Sequence, residues 1–368
     1  MENSRLNLRK IPVSILTGFL GSGKTTLLNS IIKDNLFKNT LLIINEFGKI
    51  SIDHHLIQKK SDDKIVLKNG CLCCNFSGDL VKTLDDALKL KKKFNRIIVE
   101  TSGLADPVPI IQTIVSDQII SGKIKFSSLI TTVDTVNFQN NFNNHLENFK
   151  QIVSADKIIL TKTDISETSK INEVKLKIKK INPNATIQEK NKLKIFDIKN
   201  IFSKSNIKEF SFKEIDNQIK KNKVKFLHDH NKEDNVNKVN SISLKFKSQI
   251  TKEGLKLWMN ALARFKSNNL LRMKGIIKVE GKIMLINSVQ KVFHEPQELK
   301  KTPLKGDYSQ IVFITKGIAD TQLKKTLEVF KFRRSKTKNS QLKFSPGDYK
   351  NFVKCMNQFD ALKALDRF

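Results

Sequence analysis

Gly18-Phe19-Leu20-Gly21-Ser22-Gly23-Lys24-Thr25 is the first stretch whose residue types and spacing could do chemistry. It fits G-x-x-x-x-G-K-[ST], a pattern whose glycines let the backbone fold around a phosphate with N–H groups pointing inward. A helix predicted over Thr26–Ile32 adds a dipole whose positive end favours anions. In this reading Gly18, Gly21, Ser22, Gly23, Lys24, Thr25 and Thr26 hold a nucleotide's phosphates. Lys24 reaches the β- and γ-phosphates, and the Thr25 hydroxyl ligates Mg²⁺. The alternative is a Gly-rich turn before an ordinary helix. An apolar strand directly before the motif and a helix directly after it disfavour that alternative.

Two further strand ends carry polar groups of the right kind. Arg96–Gly103 reads as an apolar strand that ends in Glu100, with a glycine three residues on. An acid at the carboxyl edge of a neighbouring strand can hold Mg²⁺ or its water, and Gly103 would bring a backbone N–H near the γ-phosphate. Lys24, Glu100 and Gly103 are therefore the catalytic candidates, with Thr25 and Glu100 on the Mg²⁺. Ile158-Ile159-Leu160 then runs into Thr161-Lys162-Thr163-Asp164. Asp164 can accept two hydrogen bonds from guanine that adenine cannot donate, so a site built on it prefers GTP. Lys162 would lie along the base face. Thr161 stands where GTPases usually carry Asn, keeping a hydroxyl and losing an amide.

Cys71, Cys73 and Cys74 fall within four residues, and Cys355 is remote. Thiolates are soft ligands for Zn²⁺, Cu⁺ or Co²⁺. Three of them leave one tetrahedral position open, unlike a closed structural site. The alternative is a buried or redox-active trio. No secretory signal is evident at the N-terminus, which argues against a disulfide framework and for a cytoplasmic protein.

These residues need elements to position them. Val13–Leu16, Leu41–Ile44, Ile65–Leu67, Ile97–Val99, Leu129–Val133 and Ile158–Leu160 are apolar runs without alternation, as buried parallel strands are. Helical patterns lie between them, such as Ser169–Ile181, which Asn182-Pro183-Asn184 stops. The fold class is α/β: a P-loop NTPase domain with a mainly parallel sheet over residues 1–204, then a smaller α+β domain. A polar linker is read at 205–238, the second domain at 239–331 and a basic tail at 332–368. In the second domain Ser241–Phe246 alternates like a half-exposed strand. Leu255, Trp258, Leu262 and Phe265 keep helical spacing. Ile276–Val279, Ile283–Ile286 and Ile311–Ile314 are further strands, and Ala319–Phe330 a closing helix.

The formal charge of +31 raises nucleic acid or an acidic membrane as partners. Only eight of the 67 Lys and Arg residues are Arg, the side chain that reads nucleic acid by its planar fork. The lysines are spread over every segment, which reads as solvated surface rather than a nucleic-acid patch. No apolar run is long enough to span a bilayer.

Gly18–Thr25, Asn45-Glu46-Phe47-Gly48, Gly70–Cys74, Glu100–Pro107 and Thr161–Asp164 together resemble the CobW-type metallochaperone GTPases. These form the zinc-chaperone branch of a P-loop family that includes hydrogenase- and urease-maturation GTPases. Leu270–Ile277 and Gly306–Ile314 resemble that branch's C-terminal domain. The resemblance implies a cytoplasmic GTPase that binds GTP and GDP. It would take up Zn²⁺, or sometimes Co²⁺, at Cys71, Cys73 and Cys74 and hand it to a client apoenzyme. Glu46 matches the acidic position of the switch segment and joins Cys71, Cys73 and Cys74 as a metal candidate. Self-association is left open. The alternatives are cobalt delivery for cobalamin synthesis and a GTP-regulated nucleic-acid or ribosome-associated factor. One departure stands out: Lys49 replaces a second Glu usual in the family, and a cation there repels a metal rather than ligating it. His228 and His230 are read as solvated linker, and His54 and His55 as exposed residues at a helix start.

Overall fold

The structure is a computed structural model, and it describes residues 10–32, 37, 39–45, 64–69, 76–89, 94–194, 198, 200–202, 239–247, 250–265, 269–299, 308–327 and 330. The chain divides into two units, Met1–Phe210 and Ser211–Phe368.

The first unit is built on β1 (Ile11–Gly18), β2 (Thr40–Asn45), β3 (Lys64–Asn69), β4 (Arg96–Glu100), β5 (Ile124–Asp134), β6 (Lys157–Thr161) and β7 (Thr186–Glu189). They form one sheet in the order β3-β2-β4-β1-β5-β6-β7, and every pairing is parallel. Helices α1 (Lys24–Ile32), α2 (Phe76–Lys89), α3 (Pro107–Ser116), α4 (Phe138–Asn144), α5 (Leu146–Ser154) and α6 (Thr168–Ile181) connect the strands. The unalternated Val/Ile/Leu runs of β1, β2, β4, β5 and β6 are buried, as a sheet covered on both faces requires. Asp106 caps α3 by accepting from the Val108 N–H at 3.0 Å, and Pro107 starts the helix where its missing N–H costs nothing. In α6 the stripe Ile171, Val174, Ile178 and Ile181 is the buried face.

This strand order fixes where a ligand can bind. The chain leaves β1 for β2 on one side and later fills β5, β6 and β7 on the other. Strand order reverses at β1, between β4 and β5, and ligands of open parallel sheets bind outside the carboxyl ends at such a point. Gly18, Glu100, Asp134 and Thr161 end β1, β4, β5 and β6 respectively.

In the second unit β8 (Val239–Phe246), β9 (Leu270–Val279), β10 (Lys282–Val289), β11 (Val292–Phe293) and β13 (Ser309–Lys316) lie in the order β11-β10-β9-β13-β8, with β12 (Gln297–Glu298) on β10. All these pairings are antiparallel. Helices α7 (Lys252–Phe265) and α8 (Asp320–Thr326) supply Leu255, Trp258, Leu262 and Leu323 to a core shared with Ile242, Leu244, Met273, Ile277 and Phe313.

Several strands depart from the sequence reading: β5 begins at Ile124 rather than Leu129, and β7, β11 and β12 were not expected. β7 escapes the reading because Thr186-Ile187-Gln188-Glu189 is a short edge strand with a single large apolar residue. β9 begins six residues before the expected Ile276, because Arg272 and Lys274 interrupt the apolar pattern. Both are nonetheless buried within the strand. The closing helix is shorter than Ala319–Phe330, its regular part ending at Thr326.

Trp258 is fully buried, packs edge-on to Phe313 at 6.3 Å between centroids and donates its indole N–H to the Thr326 hydroxyl at 3.0 Å. Trp258→Ala should cost the second unit about 3–5 kcal/mol, read as a lower denaturant midpoint by circular dichroism. A loss below about 1 kcal/mol would mean that the tryptophan does not organise this core.

Candidate functional site

The phosphate loop is shaped by what lies beneath it. Gly18 has φ of 144°, and a β-carbon there would stand 2.2 Å from the Thr132 hydroxyl oxygen. Only glycine fits such a position. The loop is then tied to the neighbouring strands. The Ser22 and Thr132 hydroxyl oxygens are 2.7 Å apart. The Thr161 hydroxyl lies 2.8 Å from the Ser22 carbonyl and 3.2 Å from the Val133 carbonyl. The Lys24 ammonium folds back across the loop and donates to the Gly18 and Phe19 carbonyls at 2.8 and 3.2 Å. Gly21 is exposed at the loop tip, and Gly23 sits beside the Thr161 side chain. Thr25 and Thr26 lie in the first turn of α1, the former half-buried and the latter exposed.

Glu100 is buried at the end of β4, one strand from the loop. After it the chain turns beside the loop. The Thr101 hydroxyl donates to the Thr17 hydroxyl at 2.8 Å. Gly103 packs so closely on Leu20 that a β-carbon would meet the Leu20 backbone nitrogen at 2.7 Å. Buried Gln151 of α5 holds this turn by donating to the Gly103 and Ala105 carbonyls at 3.0 and 3.1 Å. Gly103 is thus brought against the phosphate loop, the neighbourhood in which its spacing after Glu100 had placed it.

The Thr161–Asp164 segment follows β6. Lys162 takes a left-handed φ of 55°, and its ammonium donates to Asp134 Oδ2 at 2.7 Å. Asp164 is exposed. Lys190, just after β7, lies near enough to Asp164 for their charges to interact. Burial is the larger influence and lowers the Lys190 pKa, while Asp164 opposes it. Asp134 was missed in the sequence, although a readable signal was present: it is an acid ending an apolar strand, as Glu100 is. Burial raises the Asp134 pKa. The hydrogen bonds from Lys162, Asn137 and Val136 together outweigh burial, so the carboxyl titrates below its usual value.

Cys71, Cys73, Cys74, Glu46 and Lys49 lie outside the described residues, as do Cys355, His54, His55, His228 and His230. Among the described residues, no three His, Cys, Asp or Glu side chains are grouped so as to hold a metal ion. No helix among them is long and apolar enough to cross a membrane.

A phosphate loop at the carboxyl end of the central strand of an all-parallel sheet defines a P-loop nucleotide-binding domain. Residues 12–189 match the family profile described as CobW/HypB/UreG, nucleotide-binding domain, and residues 239–331 match the cobalamin synthesis protein cobW C-terminal domain. The zinc chaperone YjiA of Escherichia coli is 31% identical over 293 residues, covering 78% of this chain and 88% of that protein. The zinc-regulated GTPase metalloprotein activator 1 of Schizosaccharomyces pombe is 34% identical over 201 residues, covering 53% of this chain and 49% of its own length. The crystal structure of Zn(II)-bound YjiA GTPase from E. coli superposes with a TM-score of 0.62 at 23% identity, over 87% of this chain and 99% of that one, a likeness of fold. The chain belongs to the CobW/HypB/UreG family, in the group that joins the nucleotide-binding domain to a CobW C-terminal domain.

Thr161→Val keeps the shape of the side chain and removes the hydroxyl that meets the buried Ser22 carbonyl. The change should cost about 1–2 kcal/mol and speed release of bound GDP. Thermal melting and stopped-flow release of a fluorescent GDP derivative check this. Unchanged release would show that the loop does not depend on this tie.

Proposed function

We propose that the protein is a GTP-hydrolysing metallochaperone that binds zinc at Cys71, Cys73 and Cys74 and transfers it to client apoproteins. The observation that carries the reading is the place of the cysteines in the chain. In the chain, residues 70–75 fall between β3, which ends at Asn69, and α2, which begins at Phe76. β3 pairs with β2, and β2 pairs with β4, which ends in Glu100. The strand that leads into the cysteines is thus two strands from the one that ends in Glu100, which supports a path from nucleotide to metal. The names of the relatives, a zinc chaperone and a zinc-regulated GTPase, point the same way.

In the proposed reaction Lys24 and the backbone N–H groups of Gly21–Thr26 bind the phosphates, and Lys162 and Asp164 bind guanine. Thr25 and Glu100 offer hard oxygen donors, a set that suits Mg²⁺. When bound, Mg²⁺ supplies positive charge against the phosphates. The backbone N–H of Gly103 marks the γ-phosphate side of the site, where the close contact with Leu20 keeps the turn against the loop. Water attacks the γ-phosphorus, a new P–O bond forms, and the bond to the bridging oxygen of GDP breaks. No covalent intermediate forms. The nucleotide motifs offer no arginine finger, so intrinsic turnover is slow and a client or partner supplies the missing charge. Loss of the γ-phosphate then relaxes the segments at Glu46 and Gly103 and alters the thiolate geometry. Lys49 leaves the zinc site without the second carboxylate usual in the family, so water fills its open position and the metal stays easy to transfer.

Lys24→Ala should lower GTP turnover by at least about 10²-fold with the circular dichroism spectrum intact. Replacing Cys71, Cys73 and Cys74 by Ser should remove the tight zinc equivalent and the proton release that accompanies it. A folded Lys24→Ala protein with normal turnover would sink the enzymatic half of the proposal. Unchanged zinc stoichiometry and affinity in the triple Ser variant would sink the metal half. Titration with Co²⁺ in parallel shows whether the same thiols prefer the other cargo.

A further inference from the structure

We propose that Asp134 is a positioning residue for base recognition: its buried carboxylate holds the Lys162 ammonium so that the lysine stem lies against the guanine. The inference rests on the reading of Thr161–Asp164 as the base loop.

The pair is asymmetric, and the asymmetry says which partner positions the other. The Asp134 side chain is 3% exposed and that of Lys162 37%. Asp134 is fixed without help from the lysine. Its Oδ1 accepts from the Val136 and Asn137 N–H groups at 2.8 and 3.3 Å, and its Oδ2 accepts from the Asn137 side-chain amide at 2.8 Å. A lysine has a flexible four-carbon stem and no geometric preference of its own. The rigid acid therefore sets the place of the mobile cation.

The backbone supports the same division of roles. Asp134 is paired with Thr161 across β5 and β6, so its carboxylate sits one residue from the lysine it holds. Lys162 is left-handed, a conformation that a non-glycine residue keeps only when its surroundings over-determine it. They do so here. The Thr135 N–H and hydroxyl both donate to the Thr161 carbonyl, at 3.2 and 2.8 Å. The Ser166 hydroxyl donates to the Lys162 carbonyl at 2.9 Å and lies 2.7 Å from the Thr135 hydroxyl. The end of β5 thus clamps the loop backbone through Thr135 and its lysine through Asp134.

The charge itself has a use. A lysine without this counter-ion could turn to Asp164, two residues on, and compete with the base for that carboxylate. Asp134 keeps the ammonium elsewhere. A purely structural role needs less. The two backbone N–H groups of the turn at residues 134–137 require one acceptor oxygen, which Asn also supplies, and the Asn137 amide can turn its own oxygen toward the new NH2.

The test uses the full chain with Asp134→Asn, Lys162→Met and the double substitution. It measures GDP affinity with a fluorescent GDP derivative, and KM and kcat for GTP. Asp134→Asn should weaken GDP binding about tenfold and raise KM by a similar factor, with kcat falling far less than kcat/KM. Lys162→Met should give a loss of the same size, and the double variant should be no worse than either single one. Lys162 is partly exposed, so its substitution should fold even if Asp134→Asn does not. GDP affinity within twofold of wild type in either single variant overturns the proposal, as does additivity in the double. Competition of wild-type protein with ATP separates the underlying reading. If ATP displaces GDP as well as GTP does, the guanine assignment fails. If guanine is preferred and Asp134→Asn keeps wild-type affinity, only the role given to Asp134 fails.

Discussion

At Gly18 a β-carbon would stand 2.2 Å from the hydroxyl and 2.5 Å from the carbonyl oxygen of Thr132, and 2.7 Å from the Ser22 hydroxyl. Those contacts leave no room for a side chain where β1 turns into the phosphate loop. Because the turn is this tight, Ser22 comes down onto Thr132 of β5, and its carbonyl meets Thr161 of β6. The segment that would hold phosphates and the segment that would read the base are joined by hydrogen bonds into one body. Thr161 shows how an unusual residue fits: the hydroxyl alone makes the tie, with no amide required. Preorganisation of this kind lets fixed dipoles act on a transferring phosphoryl group without reorganising during the reaction.

A second layer rests on that body. The turn after β4 is fastened at three points: Thr101 on Thr17, Gly103 on Leu20, and Gln151 on the Gly103 and Ala105 carbonyls. α3 begins directly after this turn, capped by Asp106, which also lies 3.2 Å from the Lys150 ammonium of α5. Gly103 is therefore tied to α5 through Gln151 and stands close in the chain to the Asp106 cap of α3. Interfaces packed this closely favour discrete alternatives over gradual deformation, which suits a segment proposed to respond to one phosphate.

The parts legible in the sequence are those where one local rule suffices. The phosphate loop announces itself by glycine spacing between a strand and a helix, although α1 begins at Lys24 rather than Thr26. The parallel sheet is legible because strands covered on both faces must be continuously apolar. Legibility stops where partners come from far along the chain. Asp134 and Lys162 are 28 residues apart, and Gln151 and Gly103 are 48 apart. The pairing of β5 with β6 makes the first two neighbours, and the packing of α5 the second two. It also stops where burial defies polarity. Arg272 and Lys274 read as a break before Ile276, yet both lie inside β9. β7 is too short for any period to show.

The proposed coupling between nucleotide and metal is tested most directly by zinc affinity in two nucleotide states. The protein is loaded with GDP or with a non-hydrolysable GTP analogue, each with Mg²⁺, and titrated with zinc against a chromophoric chelator. Zinc held about tenfold more tightly in the GTP-analogue state is the expected result, because loss of the γ-phosphate is what should loosen the thiolates. Equal zinc affinity in the two states would contradict a nucleotide-driven transfer of the metal.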